Sequence, residues 1–331
     1  MTILNCSFIT PNTSEPISEQ TQSAYNSLFL LTGVALSIIA LAKFLESQNQ
    51  LHFENRSTRI ITGFLTLIMR MHTKSGDLEI INTPDEGKLI AVGPHRTGWE
   101  AVVLASKIRG TPPRFFATDM FNVIPGMATL MNRFKVIPIE AKSKSSSEKT
   151  ANAQALEKAS QALQKHGCVA LFPQGGFSKM GEEPRRVYDG AAKLALMNNI
   201  AIHVIRLDGY WCLNNPLIPL FIRNNTYYRA FLSSFHMNNV RVTPCGVIDC
   251  HLKPEHKDLT DEQKIEEINA RLYAYYRHTE ELTVEQIHEI DSEISENKHL
   301  LIWRDKVEQD KQQKALKLKE QETFVVSMHA S

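Results

Sequence analysis

The sequence predicts an α/β protein with a mostly parallel central sheet covered by helices, preceded by an N-terminal membrane-associated helical segment. Short apolar runs alternate with helix-length segments through the middle of the chain, which is typical of parallel strands buried on both faces. An uncharged stretch from Gln20 to Ala42 precedes them. With 331 residues, 43% of them hydrophobic, the chain has enough apolar material for a large core.

Composition along the chain divides it into four regions. We predict a polar N-terminal segment at 1–26, membrane-associated helices at 27–72, an α/β domain at 73–255 and a charged helical C-terminal extension at 256–331. No basic n-region precedes the apolar stretch, so the N-terminus does not resemble a secretory signal.

The first predicted helix contains an apolar core from Leu28 to Ala42. A helix of that length reaches about 22 Å, which is short of the roughly 30 Å of a bilayer's hydrocarbon core. Adding Tyr25 and Lys43 at the ends brings it close to spanning, if the lysine side chain snorkels. A span, a monotopic contact and a buried core helix therefore all remain open. A spanning helix would place the larger C-terminal part in the cytoplasm, because basic residues follow it and acidic ones precede it.

A second helix is predicted between Arg59 and Arg70. Its apolar positions recur at helical spacing. They are Ile60, Ile61, Phe64, Leu65 and Ile68. This helix either lies in the membrane interface, with the arginines at the headgroups, or packs on the protein core.

The predicted sheet comes from six apolar runs. They are Leu89–Val92, Phe115–Ala117, Val136–Ile139, Val169–Phe172, Ile202–Leu207 and Val240–Val247. Helices are predicted between them at Trp99–Ile108, Phe121–Met131, Ala151–Lys165 and Val187–Met197. After residue 255, Thr260 and Gln263 fit a capping box, and Arg304–Glu322 is either a solvated helix or a disordered tail.

Charge and cysteine content exclude several classes of function. Lys and Arg number 37 against 36 Asp and Glu, so nothing in the net charge indicates nucleic-acid binding. The five cysteines form no C-x-x-C pair, which argues against a disulfide framework and fits a reducing compartment. Cys250, His251 and His256 match no zinc spacing, so no metal site is predicted.

His95 and Glu100 form the first candidate site. His95 follows an apolar strand, and Glu100 comes five residues later, beyond Pro94 and Gly98. Residues five apart on one helix point about 140° from each other, so the pair meets only if His95 lies in the loop and Glu100 in the first helical turn. Glu100 would then hold one ring nitrogen while the other accepts a proton from a hydroxyl. The alternative is a chance spacing without function.

The second candidate site is the segment Phe172–Ser178. Gly175 and Gly176 follow an apolar strand, where flexible backbone can present N–H groups to an anion. Three basic residues follow at Lys179, Arg185 and Arg186. The alternative is a surface loop with solvated charges. The sequence has no G-x-S-x-G, Walker or H-E-x-x-H motif, so those catalytic classes lose support.

Taken in order, these features resemble the glycerolipid acyltransferase family, which includes bacterial 1-acyl-glycerol-3-phosphate acyltransferases, over roughly residues 60–210. In that family a strand leads into H-x-x-x-x-D, and His95 and Glu100 occupy those places. The family's second block resembles Val123–Gly126 and Val136–Glu140. Its third block, F-P-E-G-T-R-S, resembles Phe172–Ser178.

The chain departs from the family pattern at several positions. Gln174, Gly176 and Phe177 replace a Glu, a Thr and an Arg of the third block, and Ala141 stands where the second block has an Arg. Family members use those arginines to hold the phosphate of the acceptor. Either nearby basic residues replace them, or the acceptor is not a simple phosphomonoester. The candidates for replacement are Lys142, Lys179, Arg185 and Arg186.

The resemblance implies transfer of a fatty acyl group from acyl-CoA or acyl carrier protein to a lysophospholipid hydroxyl, with 1-acyl-glycerol-3-phosphate giving phosphatidic acid. His95 would be the general base, and Glu100 would fix its tautomer and stabilise the imidazolium. The implied substrate-binding residues are Pro173, Gln174, Gly175, Gly176, Ser178, Lys179, Arg185 and Arg186.

The partners implied are membrane lipids and the acyl donor, with no metal, no nucleic acid and no bound cofactor. The catalytic domain is expected at the cytoplasmic face of a membrane. Two alternatives stay open. One is a different acceptor, such as glycerol 3-phosphate, another lysophospholipid or a glycolipid. The other is a catalytically inactive membrane lipid-binding homologue.

Overall fold

The computed structural model describes residues 19–73, 87–96, 100–118, 127–139, 146–176, 186–209, 240–250, 258–279 and 282–329. The chain divides into two compact units, Met1–Phe44 and Leu45–Ser331. The first contains most of helix α1, and the second contains the sheet and all the other helices described below.

Helix α1 runs from Glu19 to Gln48. Its part from Leu30 to Gln48 is long and apolar enough to cross a membrane, judged by length and composition, and none of it is buried. Large apolar side chains such as Leu30, Ile38 and Leu41 are exposed along it. Among the described residues, these side chains therefore do not form the interior of a protein core.

The sheet of the second unit has six strands among the described residues. They are β1 (Lys88–Gly93), β2 (Pro113–Thr118), β3 (Ile137–Ile139), β4 (Cys168–Leu171), β5 (Ile202–Asp208) and β6 (Arg241–Ile248). Their spatial order is β3-β2-β4-β1-β5-β6, and only β6 runs antiparallel to its neighbour. The predicted α/β class and mostly parallel sheet are confirmed.

Helices of the second unit cover both faces of this sheet. They are α2 (Arg56–His72), α3 (Glu100–Lys107), α4 (Met127–Arg133), α5 (Ser146–Gln164), α6 (Gly190–Asn198), α7 (Asp261–Tyr276), α8 (Val284–Ser295) and α9 (Lys298–His329). The predicted helix at Val187–Met197 begins three residues later, because the N–H of Tyr188 donates to the carbonyl of Pro173 over 2.7 Å. That bond holds the segment before α6 against the loop after β4.

Strand β1 lies at the centre of the sheet, and all of its residues are buried. Alternate side chains of a strand point to opposite faces. Leu89 and Ala91 join a core cluster with α5, α6 and α7, whereas Ile90 and Val92 join a second cluster with α2 and α3. Strand β1, which leads to His95, is thus packed on both faces of the sheet.

Helix α2 packs on the core through Met69, which is buried in the second cluster. Thr58, Thr62 and Thr66 are buried, while Phe64 is exposed. Gly63 approaches the end of α1 so closely that an added Cβ would lie 1.7 Å from the carbonyl oxygen of Leu45. Core packing, one of the two alternatives for this helix, is therefore observed on this face.

The C-terminal region is helical up to His329. The capping box at Thr260 is present as predicted, and Thr283 forms a second one at the start of α8. Helix α7 buries Tyr273 in the core, where its ring lies 5.4 Å from that of Trp303 in α9. The segment predicted as a solvated helix or a disordered tail is a helix.

Candidate active site

The candidate site lies at the carboxyl edge of the parallel sheet, where β1 and β4 end side by side. His95 follows the end of β1, and Glu100 is the first residue of α3. This is the strand–loop–helix arrangement that the spacing of the two residues requires. Ligands commonly bind at such strand ends, and a carboxylate in the first turn is favoured by the helix dipole.

His95 and Glu100 face each other across this loop. The Nδ1 atom of His95 lies 3.4 Å from Oε2 of Glu100, and the two side chains are 17% and 0% exposed. The backbone N–H of Arg96 donates to the other carboxylate oxygen, Oε1, over 2.7 Å. That bond orients the carboxylate so that Oε2 faces the imidazole. The separation is that of a close electrostatic contact between the ring and the carboxylate.

The orientation of the ring decides which nitrogen is available for chemistry. Because Nδ1 of His95 faces the carboxylate, Nε2 is the nitrogen able to meet a substrate. The ring also stacks on Phe172, with centroids 4.0 Å apart and planes 16° from parallel. The imidazole is therefore fixed by a carboxylate at its edge and by an aromatic face from the loop after β4.

Gln174 connects the two candidate sites through a hydrogen bond. Its Oε1 accepts a 2.6 Å hydrogen bond from the backbone N–H of His95, and its side chain is only 1% exposed. The Nε2 atom is buried and has no hydrogen-bond partner among the described residues. The residue that replaces a family glutamate thus keeps an acceptor for the His95 loop and adds a buried donor.

The turn after β4 uses one of its two glycines for its own closure. The N–H of Gly175 donates to the carbonyl of Phe172 over 3.0 Å. Gly175 has φ +61°, and an added Cβ would lie 2.9 Å from the ring of Tyr188. Within the part of the chain that the structure describes, the N–H of Gly176 is the donor of the glycine pair that an anion could meet.

The predicted basic residues are only partly described. Arg186 lies close to the turn, with its guanidinium 5.2 Å from the centroid of the Tyr188 ring. Ser178, Lys179 and Arg185 lie outside the described residues, as do Ala141, Lys142 and Phe177. The role of the basic residues in binding a phosphate stays a prediction.

Strand β5 contains an ion pair that its apolar pattern does not predict. Arg206 is fully buried, and its Nε donates to Oδ2 of Asp208 over 2.7 Å. The run Ile202–Leu207 predicts an apolar strand. The signal was present, because residues two apart on a strand share a face and a buried charge requires a partner.

The described cysteines are poor nucleophiles. Cys168, Cys245 and Cys250 are free thiols and are buried. Burial raises the pKa of the Cys168 and Cys245 thiols to about 12, so both stay protonated near neutral pH. No group of three His, Cys, Asp or Glu side chains suited to a metal ion occurs in the part of the chain that the structure describes.

Comparison with known proteins identifies the domain. Residues 77–208 match the family model described as Acyltransferase. The matched region runs from just before β1 to the end of β5 and contains both candidate sites. The chain thus contains an acyltransferase domain, as the resemblance predicted.

One solved structure similar to this chain is the crystal structure of the 1-acyl-sn-glycerophosphate (LPA) acyltransferase, PlsC, from Thermotoga maritima. The two chains are 13% identical, the match covers 76% of this chain and 96% of that one, and the TM-score is 0.42. No curated protein matches the sequence.

Proposed function

We propose that this protein transfers a fatty acyl group from an acyl thioester to a hydroxyl of a lysophospholipid, with 1-acyl-glycerol-3-phosphate as acceptor and phosphatidic acid as product. The observation that carries the proposal is the pairing of His95 with Glu100 at a sheet edge, inside a domain of the acyltransferase family. The acyl donor is acyl-CoA or acyl carrier protein, used as a substrate, and the reaction calls on no bound cofactor.

His95 acts as the general base in this reaction. Its Nε2 takes the proton of the acceptor hydroxyl while the hydroxyl oxygen attacks the thioester carbonyl. The tetrahedral intermediate then collapses, the carbon–sulfur bond breaks, and the imidazolium returns its proton to the leaving thiolate. Glu100 stabilises the imidazolium and holds its tautomer, and the N–H of Gly176 is the proposed donor to the oxyanion.

The headgroup of the acceptor meets basic side chains beside the turn after β4. Arg186 is the one in the described region, and its position over Tyr188 is close to Gly175. Lys142, Lys179 and Arg185 complete the proposed set. A guanidinium can bind a phosphate through two parallel hydrogen bonds, which supports Arg186 as the first residue to test.

Helix α1 brings the enzyme to its acceptor. The exposed apolar stretch from Leu30 to Gln48 suits a lipid environment, and a lysophospholipid resides in the bilayer. We therefore place the protein at a membrane, with the catalytic domain on the cytoplasmic face. The contact is either a full span or a monotopic insertion.

An acylation assay with purified full-length protein in nanodiscs tests this function. Labelled acyl-CoA or acyl carrier protein is supplied with a panel of lysophospholipids, and products are identified by mass spectrometry. His95→Ala should lower turnover by about 10²–10⁴-fold, the usual loss when a general base is removed. His288→Ala, on the exposed face of α8, is the matched control and should leave turnover unchanged.

The result also separates the alternatives. Turnover of glycerol 3-phosphate, another lysophospholipid or a glycolipid in place of 1-acyl-glycerol-3-phosphate would change the acceptor and keep the chemistry. The neutral Gln174 and the absence of the family arginines support that alternative. Lipid binding without turnover, unaffected by His95→Ala, would instead identify an inactive homologue.

A further inference from the structure

The end of helix α7 lies against the candidate active site, although α7 is outside the region that matches the acyltransferase family. Arg96, next to His95 in sequence, is 5% exposed. Its Nη2 donates to the carbonyl oxygen of Thr279 over 2.9 Å. Thr279 follows the last residue of α7 by three positions. The loop that carries His95 is thus bonded to the main chain at the end of α7.

A second arginine holds the same end of α7. Arg206 donates from Nη1 to the carbonyl of Tyr275 over 2.8 Å and from Nη2 to that of His278 over 2.7 Å. The carbonyls in the last turn of a helix lack helical partners and carry partial negative charge, so they favour a buried cation. Arg206 is also the register partner of Gly93 in β1.

Helix α7 also contacts the backbone of β1 directly. The ring of Tyr276 is fully buried, and a Cβ added to Gly93 would lie 2.7 Å from it. Gly93 is two residues before His95. The tyrosine therefore packs against the strand end from which the catalytic loop begins, at a distance that only a glycine permits.

These contacts form a continuous connection from α7 to the catalytic pair. The side chain of Arg96 is anchored at Thr279, while its backbone N–H holds Oε1 of Glu100. Displacement of Arg96 would leave the Glu100 carboxylate free to rotate, so that Oε2 would no longer be directed toward His95. A misplacement of about 1 Å in such a site costs on the order of 10²-fold in rate.

We propose that Arg96 is a positioning residue and that the C-terminal end of α7 is a working part of the active site. Through Arg96, the end of α7 holds the orientation of Glu100 toward His95, so turnover depends on a segment beyond the family domain. This inference rests on the proposed acyl transfer. It assigns Arg96 no contact with substrate.

Arg271 supplies a matched control on the same helix. Its Nη2 lies 2.7 Å from Oε1 of Glu267, and that carboxylate also meets His299 of α9 at 2.9 Å. Arg271 therefore holds the Glu267 carboxylate that joins α7 to α9, whereas Arg96 joins the end of α7 to the catalytic loop. Loss of Arg271 removes a contact that leads through Glu267 to α9, whereas loss of Arg96 removes the bond that leads from α7 to the candidate site.

The test compares Arg96→Ala with Arg271→Ala in the full-length protein. For Arg96→Ala we expect kcat to fall by about 10²-fold, with little change in KM for either substrate. For Arg271→Ala we expect a lower melting temperature and a wild-type kcat. Arg96→Lys should lose less activity than Arg96→Ala, because a lysine keeps a positive charge and N–H donors. It should still be less active than the wild type, because it lacks the planar guanidinium.

Hydrogen exchange of the peptide 93–100 gives a readout that does not depend on activity. Exchange should become faster in Arg96→Ala and stay unchanged in Arg271→Ala.

If the wild type acylates none of the acceptors, the proposed function fails while this exchange result still reports on the positioning role. If the wild type is active and both Ala variants lose kcat only in proportion to stability, the inference is overturned. Should Arg96→Ala not fold, a wild-type kcat for Arg96→Lys overturns it instead.

Discussion

The backbone N–H of His95 donates a 2.6 Å hydrogen bond to Oε1 of Gln174, which joins the loop after β1 to the turn after β4. The bond fixes the orientation of the Gln174 amide, because only its oxygen can accept from an N–H group. The ring of Phe172 in the same turn stacks on His95. His95 is thus held through both its backbone and its ring by one neighbouring turn.

Two replacements of Gln174 should distinguish the role of its acceptor oxygen from that of its amide N–H donor. Gln174→Leu removes the acceptor of this partly buried hydrogen bond, which should lower the free energy of unfolding by about 0.5–1.5 kcal/mol. Gln174→Glu keeps an acceptor oxygen and restores the residue found in the family block, so it should lose less activity than Gln174→Leu. Urea unfolding and acylation rates of both variants check this expectation. Equal losses in the two variants would contradict it.

Neutralising the acid of the pair should slow turnover without preventing it. In Glu100→Gln the amide oxygen can still accept from the Arg96 N–H, but the neutral group stabilises an imidazolium less well. We expect a drop in kcat smaller than that of His95→Ala, for which about 10²–10⁴-fold is expected. Steady-state kinetics with Glu262→Gln, an exposed glutamate of α7, as the control provides the measurement. A fully active Glu100→Gln would remove Glu100 from the mechanism.

The sequence was sufficient for the parallel sheet and for the approach of His95 to Glu100, because both depend on local patterns. The apolar run at Leu89–Val92 predicts a buried central strand, and the spacing of His95 and Glu100 predicts a loop and a first helical turn. The anchoring of Arg96 at Thr279 was not predictable in this way. That bond joins an arginine to a backbone carbonyl 183 residues away, and any residue type can supply such a carbonyl.

Gly175→Ala should be more destabilising than a glycine replacement that introduces backbone strain alone. Gly175 has φ +61°, and the new Cβ would also meet the Tyr188 ring at 2.9 Å. Gly110 has φ +87° but nothing within 4 Å of an added Cβ, so Gly110→Ala measures the strain alone, about 1–2 kcal/mol for a left-handed residue.

Chemical denaturation of the two glycine variants gives the contribution of the Tyr188 contact by difference. The expected result is a larger loss of stability in Gly175→Ala, because the ring must shift. Equal losses would mean that Tyr188 moves aside at no measurable cost. In that case the turn does not need a close approach between these two residues.

The attachment of α9 to α7 should weaken in acid. Burial of the Glu267 carboxyl acts to raise its pKa, but the hydrogen bond and charge of His299, together with Arg271, outweigh it and lower the pKa to about 2. A carboxyl whose pKa is lower in the folded state stabilises the fold above its unfolded pKa and loses that contribution as the pH falls. The free energy of unfolding should therefore decrease between about pH 5 and pH 2.

Glu267→Gln should flatten this decrease in urea titrations at successive pH values, whereas Glu262→Gln, an exposed neighbour on α7, should retain it. An unchanged acid slope in Glu267→Gln would show that other carboxylates control the acid stability of the protein.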